Sequence, residues 1–342
     1  MRIGIPREIK DGEYRVALTP AGVAELRDVV VEPGAGLGVG FSDDEYIRSG
    51  ATLGDPWQCD VIVKVKELLP PEYGKPRPGQ VVLGFQQFAA ERELLDAALA
   101  SGATFVVYSS VGQQRGQLPI LAPMSAIAGR LALQVGAWCL QKQNGGSGVL
   151  LSGFGNVPPG KVVIIGAGNV GANALAIAYG IGADVTVFAR SERRFAGVRA
   201  QYPKAHLRTG LDIAAIEDAD LLVGAVFTPG QRSPKLITRK MLSAMRRGSA
   251  FVDVGIDHGG IAETSRPTSH SRPIYVEEGV VHYCVPNMPA ACPRTASLAL
   301  ERAVLPYVQM LAKGQTDGDL ASGIQVRAGK VVHPELARHT GR

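Results

Sequence analysis

The stretch VVIIGAGNVG at residues 162–171 joins four apolar, β-forming residues directly to a G-x-G-x-x-G motif. Such glycines allow a tight turn that brings backbone N–H groups and a helix N-terminus close to a pyrophosphate, whose charge the helix dipole favours. Alone, the motif also fits another adenosine ligand, such as S-adenosylmethionine. Here a helix-like run at 172–178 and a strand-like run at 184–188 follow, which completes a β-α-β unit of about 30 residues. We therefore predict a Rossmann dinucleotide-binding domain with these residues at the phosphates: Gly166, Gly168, Asn169, Val170 and Gly171.

The end of the second strand indicates which dinucleotide binds. An NAD site usually has a carboxylate there for the ribose hydroxyls. This chain instead has small residues and arginines: Ala189, Arg190, Ser191, Arg193 and Arg194. Because arginine side chains suit a 2′-phosphate, NADP is the preferred prediction. NAD is the alternative, since a small backbone shift would bring Glu192 to the ribose.

Length and composition favour a two-domain α/β enzyme. The 342 residues exceed the ~250–300 at which a single core stops growing. The chain is 46% hydrophobic and 20% charged with 42 glycines, which is typical of a soluble α/β enzyme with many tight turns. The net charge of +5 is spread along the chain, so we expect small anionic ligands and no nucleic acid.

The same composition argues against several other classes of protein. No apolar run is long enough to span a membrane, and the N-terminus does not resemble a signal peptide. The four cysteines are far apart and lack the spacing of a metal site, so we expect reduced thiols, no metal and a cytoplasmic protein.

Strand-like and helix-like segments alternate before and after the glycine motif. Apolar runs at 2–6, 29–32, 61–65, 81–85 and 104–108 predict strands. Amphipathic spacing predicts helices at 20–27, 90–100 and about 125–142. Runs at 220–226, which ends in Val226, and at 250–256 predict later strands of the nucleotide-binding sheet. Ligands bind beyond the carboxyl ends of such strands, which draws attention to residues 228–232 and 257–260.

Further motifs give the chain an end-to-end resemblance to the alanine dehydrogenase and transhydrogenase α-subunit family. They are PREIK at 6–10, EYRVALTP at 13–20, VKVKE at 63–67, LAPMS at 121–125, AGR at 128–130, GAV at 224–226, PKL at 234–236, DHGG at 257–260, SRPT at 265–268 and HYCVPNMP at 282–289. The resemblance implies two doubly wound parallel-sheet domains. Residues 1–122, completed by 295–342, would be the substrate domain, and 123–294 the Rossmann domain, with the site in the cleft between them. It also implies a homo-oligomer, either a dimer or a hexamer.

The resemblance also implies roles for particular residues. Arg15 and Lys66 match the residues that hold the carboxylate and carbonyl oxygen of the substrate, and their chemistry suits these tasks. Asp257 matches a catalytic aspartate beside the nicotinamide, and Asn287 a residue that contacts the nicotinamide. Met124 and Ser125 match residues lining the substrate pocket. A helix start capped by the serine is the structural alternative for that pair.

One position departs from the family. Alanine dehydrogenases have a catalytic histidine in a sequence like F-x-x-L-H-L-A-A, whereas this chain has LGFQQFAA at 83–90, which places Gln87 there. Glutamine cannot carry a proton. The proton carrier would then be Lys66, Asp257 or His258. The family usually has a glutamine at the position of His258. A histidine titrates near neutral pH, but His258 could equally be an ordinary loop residue.

These observations leave three functions open. The first is an NAD(P)-dependent amino-acid dehydrogenase that acts on a 2-amino acid or on the imine of a 2-oxo acid. The second is an NADPH-dependent enzyme that reduces imines to secondary amines, like the opine-forming relatives of the family. The third is a nucleotide-binding protein without substrate chemistry, like the transhydrogenase α-subunit. Arg15, Lys66 and Asp257 are all present, which argues against the third. The arginines after the second strand and Gln87 fit the second about as well as the first, which we keep as the main prediction.

Overall fold

A computed structural model describes residues 1–226 and 232–342 of the chain. Its strands in chain order are β1 (Ile3–Ile5), β2 (Val29–Val31), β3 (Thr52–Leu53), β4 (Val61–Lys66), β5 (Val81–Phe85), β6 (Thr104–Val107), β7 (Lys161–Ile165), β8 (Asp184–Ala189), β9 (His206–Thr209), β10 (Leu221–Gly224), β11 (Ala250–Asp253), β12 (Ile274–Glu277), β13 (Val280–Tyr283), β14 (Ile324–Arg327) and β15 (Lys330–Val331).

The α-helices alternate with these strands over most of the chain. In chain order they are α1 (Pro20–Ala24), α2 (Asp43–Arg48), α3 (Arg92–Ser101), α4 (Leu121–Cys139), α5 (Asn169–Gly180), α6 (Val198–Gln201), α7 (Ile213–Glu217), α8 (Arg239–Ala244), α9 (Pro293–Ala312), α10 (Gly318–Gly323) and α11 (Pro334–Thr340). None of the helices in the described ranges combines the length and apolar character that a membrane span requires.

The chain divides into two compact units. Unit 1 consists of Met1–Met124 and Ala290–Arg342, and unit 2 of Ser125–Pro289. The chain therefore leaves unit 1 within the first turn of α4 and returns just before α9. Each unit is built around its own sheet.

The sheet of unit 1 has the strand order β15-β14-β6-β5-β4-β1-β2-β3. Strands β1 to β6 pair with one another in parallel, whereas β14 is antiparallel to both β6 and β15. Helix α3 covers one face, where Leu94, Leu95 and Ala98 join the core. Gly102 ends this helix in the left-handed conformation, with φ +66°. Helix α9 packs against β4, and β4 is buried along its whole length, as expected for a parallel strand with both faces covered.

The sheet of unit 2 has the strand order β12-β13-β11-β10-β7-β8-β9. Only β12 is antiparallel among these strands, where it pairs with β13. On one face Val163, Leu222 and Phe251 pack with residues of the neighbouring helices, including Ile216 and Leu242. From β9 to β13 the parallel strands follow the order 3-2-1-4-5-6 of a dinucleotide-binding fold. Strands β3 to β6 of unit 1 repeat that order.

The predicted α/β fold with two doubly wound sheets is confirmed, with a correction at the sheet edges. Both sheets are mixed rather than purely parallel, because β12, β14 and β15 add antiparallel pairings. The predicted start of α4 near residue 125 is also wrong. The helix begins at Leu121 and includes Pro123, since a proline in the first turn has no hydrogen bond to lose.

Candidate active site

In unit 1 the strand order reverses between β1 and β4, and the candidate substrate residues follow these two strands. Ligands of open parallel sheets bind beyond the carboxyl ends of the strands at such a reversal. Arg15 lies in the segment that follows β1, and Lys66 is the last residue of β4. The topology thus brings two cations that are far apart in the sequence to one edge of the sheet.

Arg15 is held by Glu13 through a two-point ion pair. Nε lies 2.7 Å from Oε1 and Nη2 lies 2.5 Å from Oε2, and both side chains are buried. The backbone N–H of Arg15 donates to the same carboxylate at 3.1 Å. On the other side, Nη1 lies 3.3 Å from the sulfur of Met124. Because a two-point pair fixes the plane of a guanidinium, Glu13 sets the orientation of Arg15.

A β-bulge precedes Lys66. Val63 pairs with Leu83 but Lys66 pairs with Phe85, so β4 uses one residue more than β5 over this stretch. Side chains alternate along a strand, and an extra residue therefore turns the next side chain to the opposite face. Lys66 consequently shares the face of Val63 and Phe85 rather than that of Lys64.

The ammonium of Lys66 lies beside an acid. Its Nζ is 3.4 Å from Oε2 of Glu67, and Glu67 also forms an ion pair with Lys10. Burial raises the pKa of Glu67, but the charges of Lys66 and Lys10 outweigh it, so the pKa lies below its ordinary value. Glu67 is therefore ionised at neutral pH and helps to hold Lys66 in place.

A second buried charge cluster lies under the same end of β4. Lys64 Nζ is 2.8 Å from Oε1 of Glu72 and 3.4 Å from Oε2 of Glu8, and these side chains are at most 3% exposed. Burial lowers the pKa of Lys64, but the two acids outweigh it and the pKa lies above its ordinary value. Burial raises the pKa of Glu8 in spite of Lys64. Sequence analysis missed this cluster, although a lysine inside an otherwise apolar strand was a signal for a buried partner.

Gln87 follows β5, the next strand of the same sheet. The side chain of Gln87 is exposed. Its backbone carbonyl oxygen accepts from the backbone N–H groups of Ala90 and Glu91. The preceding Gln86 is buried instead, and its Oε1 accepts from the N–H of Leu68 at 3.2 Å. Gln87 is thus the one of the two glutamines that can reach a ligand from solution.

Met124 and Ser125 lie inside the first turns of α4. Because the helix begins at Leu121, Ser125 does not stand at the cap position, and the serine-cap alternative for this pair is wrong. Met124 is buried against Arg15, whereas Ser125 is half-buried.

In unit 2 the glycine motif forms the turn between β7 and α5. Gly166 has a φ of +113°, which is strained for any residue with a side chain. A Cβ on Gly171 would lie 1.8 Å from the carbonyl oxygen of Gly166, so no other residue fits there. Gly168 is the N-cap of α5, which places Asn169 and Val170 in the first turn. The turn therefore offers the backbone N–H groups and the helix terminus that a pyrophosphate requires.

The end of β8 lies next to this turn, as the backbone N–H of Gly166 donates to the carbonyl oxygen of Phe188 at 2.9 Å. Ala189 is buried, whereas the side chains that follow it are exposed: Arg190, Ser191, Glu192, Arg193 and Arg194. Glu192 forms an ion pair with Arg199 at 2.9 Å. Glu192, the acid that could bind the ribose hydroxyls, is therefore already paired with Arg199.

A short 3-10 turn, Val254–His258, follows β11 and includes Asp257. Asp253, the last residue of the strand, is fully buried and organises the turn. Its carboxylate accepts from the N–H of Gly255 at 3.0 Å, the N–H of Ile261 at 2.7 Å and the hydroxyl of Ser265 at 2.6 Å. Sequence analysis did not single out Asp253, because an acid at a strand end does not by itself reveal which backbone groups it will bind.

Asp257 and Asn287 are brought together from different segments of unit 2. The backbone N–H of Asn287 lies 3.1 and 3.4 Å from the two carboxylate oxygens of Asp257. Asn287 has a φ of +57°, a conformation that asparagine tolerates better than most residues. This contact leaves Asp257 exposed and accessible to a ligand.

His258 is the next residue of the turn. Its carbonyl oxygen accepts from the N–H of Ser233, and its side chain is half-buried. Burial lowers the pKa of His258 below its ordinary value, against the opposing effect of Asp257. The imidazole is therefore neutral at physiological pH and can accept a proton.

The end of β10 adds Val226, which is half-buried and lies near the turn after β11, since a Cβ on Gly255 would be 3.2 Å from the carbonyl oxygen of Val226. Most of the predicted loop at 228–232 lies outside the described residues, which resume at Arg232. Within the two described ranges, no group of three or more His, Cys, Asp or Glu side chains could hold a metal ion.

Comparisons with known proteins identify the family and the fold. The N-terminal and C-terminal domain models of the alanine dehydrogenase/PNT family match residues 4–128 and 132–334. An alanine dehydrogenase of Halomonas elongata is 45% identical, over 100% of this chain and 97% of the relative. A solved L-alanine dehydrogenase superposes with a TM-score of 0.96 at 42% identity, covering 100% of this chain and 99% of the other. The transhydrogenase from Sinorhizobium meliloti superposes with a TM-score of 0.84 at 26% identity, covering 98% and 99%.

Fold, glycine turn and family matches together define the class, a nicotinamide-dependent oxidoreductase of the amino-acid dehydrogenase type. The chain belongs to the alanine dehydrogenase/PNT family. The family and the class predicted from the sequence are both confirmed.

Proposed function

We propose that this enzyme interconverts a small 2-amino acid, with alanine as the first candidate, and the corresponding 2-oxo acid with ammonia. The observation that carries the proposal is the pair of buried cations at the reversal of strand order in unit 1, Arg15 and Lys66, each beside an acid. The end-to-end identity with alanine dehydrogenases supports the choice of substrate. Unit 1 would accordingly be the substrate domain and unit 2 the nucleotide domain.

Arg15 would bind the substrate carboxylate. A guanidinium offers parallel N–H donors that match two carboxylate oxygens, and a buried arginine binds more strongly because water does not compete. Glu13 already orients this guanidinium through Nε and Nη2. The edge that includes Nη1, next to Met124, would then meet the ligand.

Lys66 would bind the oxygen of the 2-oxo acid. An ammonium beside a carbonyl oxygen polarises it and stabilises the negative charge that develops when a nucleophile adds to the carbon. Glu67 keeps the ammonium paired and limits its rotation. Asp257 would accept and return protons during the addition of ammonia and the loss of water, with Asn287 holding its carboxylate.

The nicotinamide cofactor would fit the glycine turn. A side chain at Gly171 would collide with the backbone of Gly166, so the turn can be this tight only with glycine. The N-terminus of α5, capped by Gly168, is open to a phosphate. When bound, the cofactor supplies or accepts the hydride of the reaction. Gly166, Gly168, Asn169 and Val170 would hold the pyrophosphate through backbone N–H groups. Val226 and Asn287 would border the nicotinamide half of the cofactor.

We further propose that the cofactor is NADP in preference to NAD. The end of β8 has Ala189 in place of a carboxylate, and the nearby acid Glu192 is paired with Arg199. A 2′-phosphate would meet Arg190, Ser191 and Arg194, which are all exposed. Arg190→Asp should lower the affinity for NADPH by about tenfold or more while changing that for NADH little, as measured by fluorescence titration. Equal binding of the two cofactors by the unmodified enzyme would count against this preference.

The proton carrier that replaces the family histidine is proposed to be His258. Burial lowers its pKa, which favours the neutral imidazole, and His258 directly follows Asp257 in the chain, whereas Gln87 cannot transfer a proton. His258→Gln should then lower kcat by roughly 10²–10⁴-fold, while Gln87→Ala should cause a smaller loss. A larger loss in Gln87→Ala than in His258→Gln would assign the proton step elsewhere.

A secondary-amine product is the second candidate, favoured by Gln87 at the position of the family histidine. One assay separates the candidates. Oxidation of NADPH and NADH is followed with pyruvate, glyoxylate and larger 2-oxo acids, each with ammonia, lysine or ornithine. Ammonia-dependent turnover of pyruvate supports the first proposal, and turnover only with lysine or ornithine supports the second. Tight nucleotide binding without turnover in any mixture would leave a role like that of the transhydrogenase α-subunit.

A homo-oligomer stays a prediction that light scattering would test.

A further inference from the structure

Two backbone N–H groups at the bulge of β4 are bound by a side chain instead of a neighbouring strand. Strand β1 lies beside β4 but ends at Ile5, so it cannot pair with the last residues of β4. The carboxylate of Glu8 takes over this position. Its Oε1 lies 2.7 Å from the N–H of Val65, and its Oε2 lies 3.4 Å from the N–H of Lys66.

The contact is buried, since the Glu8 side chain is 3% exposed. Its hydrogen bond to the N–H of Val65 is the shorter of the two, so Val65 is the more firmly held residue. The ammonium of Lys64 lies 3.4 Å from Oε2 of Glu8, and its positive charge offsets the cost of burying an acid beside the bulge. The bulge, which decides the face that Lys66 occupies, is thus tied at its centre to one carboxylate.

We propose that Glu8 is a positioning residue for the reaction, which holds the β4 bulge so that Lys66 presents its ammonium to the substrate. The inference rests on the proposed role of Lys66 and deepens it. Glu8 acts through the backbone and does not itself touch the substrate.

Glu72 provides a matched control. It is as buried as Glu8 and lies closer to Lys64, at 2.8 Å. Its other hydrogen bond, however, goes to the backbone N–H of Leu69 at 3.0 Å, beyond the bulge. Glu8→Gln and Glu72→Gln therefore both remove one acid from Lys64, but only Glu8→Gln places an amide N–H₂ group against the bulge.

The experiment compares the two variants by hydrogen exchange and by steady-state kinetics on the full chain. In Glu8→Gln the amides of Val65 and Lys66 should exchange faster, and kcat/KM for the 2-oxo acid should fall by roughly 10–100-fold, the scale expected for a small displacement of a reacting group. KM for the nicotinamide cofactor should not change. In Glu72→Gln exchange at the bulge and kcat/KM should stay close to those of the unmodified enzyme.

Unchanged exchange at Val65 and Lys66 in Glu8→Gln would overturn the proposal, and so would equal losses of activity in the two variants. If Glu8→Gln does not fold, Glu8→Asp keeps the charge but is one methylene too short to reach both N–H groups. It should show the same pattern, and unmodified exchange and activity in Glu8→Asp would also overturn the proposal. Lys66→Met tests the underlying function separately. Full activity in Lys66→Met would remove the role of Lys66, and with it the proposed role of Glu8 in the reaction, while exchange would still report whether Glu8 holds the bulge.

Discussion

Glu13 and Arg15 form a buried two-point ion pair in unit 1, with 2.7 Å between Nε and Oε1 and 2.5 Å between Nη2 and Oε2. The pair is local in sequence, yet it is held in the interior by the rest of the unit. The backbone N–H of Val16, the next residue, donates to the hydroxyl of Ser297 on α9 at 3.0 Å. Helix α9 therefore anchors the segment that presents Arg15.

Glu13→Gln should weaken binding of the 2-oxo acid more than it slows the chemical step. Glutamine has one acceptor oxygen, so Arg15 loses one of its two fixed contacts and its orientation. We expect KM for the 2-oxo acid to rise by about tenfold or more, while KM for the cofactor stays unchanged. Steady-state kinetics with each substrate varied in turn would measure this. An unaltered KM for the 2-oxo acid in a folded variant would show that Glu13 does not orient Arg15 for binding.

Gly171→Ala should abolish nucleotide binding. Its Cβ would lie 1.8 Å from the carbonyl oxygen of Gly166, so either the turn or the start of α5 must move. Gly180, at the other end of the same helix, has nothing within 4 Å of a Cβ and provides the control. Gly180→Ala should bind the cofactor normally and be slightly more stable. Titration of both variants with NADPH, together with thermal unfolding, tests the contrast. Normal cofactor affinity in Gly171→Ala would argue against a phosphate site at this turn.

Asp257→Asn should lower kcat and leave stability nearly unchanged. The side chain is exposed, and an asparagine oxygen can still accept from the N–H of Asn287. Without a carboxylate the proton steps should slow by roughly 10²–10⁴-fold. Asp253→Asn should behave differently, because its buried carboxylate accepts three hydrogen bonds and the loss should appear in thermal stability. Wild-type kcat in Asp257→Asn would exclude an acid/base role for this residue.

Stability should fall when the pH drops below neutral, and His282 should account for part of the loss. This histidine is fully buried, with Nε2 2.8 Å from the hydroxyl of Thr264 and Nδ1 2.9 Å from the carbonyl oxygen of Val280. Burial lowers its pKa below the ordinary 6.5, although the Val280 carbonyl opposes this effect. As the pH falls below 6.5, the unfolded chain gains a proton that the folded chain does not. The free energy of unfolding therefore decreases until the folded-state pKa is reached.

His282→Gln should be less stable at neutral pH, because glutamine cannot make both hydrogen bonds. Its stability should depend less on pH between about pH 5 and pH 7.5 than that of the unmodified enzyme. A smaller slope should remain, since burial also lowers the pKa of His258. Urea unfolding at several pH values would measure both slopes. Identical slopes in the two proteins would mean that His282 does not titrate in this range.

Local sequence patterns were enough for the first β-α-β unit of the nucleotide-binding sheet. The run from β7 to β8 was predicted from residues 162–188 alone, because a β-α-β unit is formed by neighbours in the chain and its glycines have local steric reasons. The short strands β3, β9, β12, β13, β14 and β15 were not predicted. Strand β12 forms a short hairpin with β13, and β14 forms another with β15, whereas the pairing of β14 with β6 joins distant segments. Helix α4 begins about four residues before its predicted start, because Pro123 is tolerated in the first turn.

The sequence by itself determined the family, the nucleotide-binding turn and the chemical types of the candidate site residues, since these depend on short motifs and on the identity of single side chains. Only the tertiary structure decided how those residues are held. Glu8 reaches Val65 and Asp257 reaches Asn287 across long stretches of chain. Such contacts form where strands from separate segments of the chain end at the same edge of a sheet. No local sequence pattern indicates which distant residues will meet there. The orientation of Lys66 likewise depends on a bulge that exists only when β4 pairs with β5.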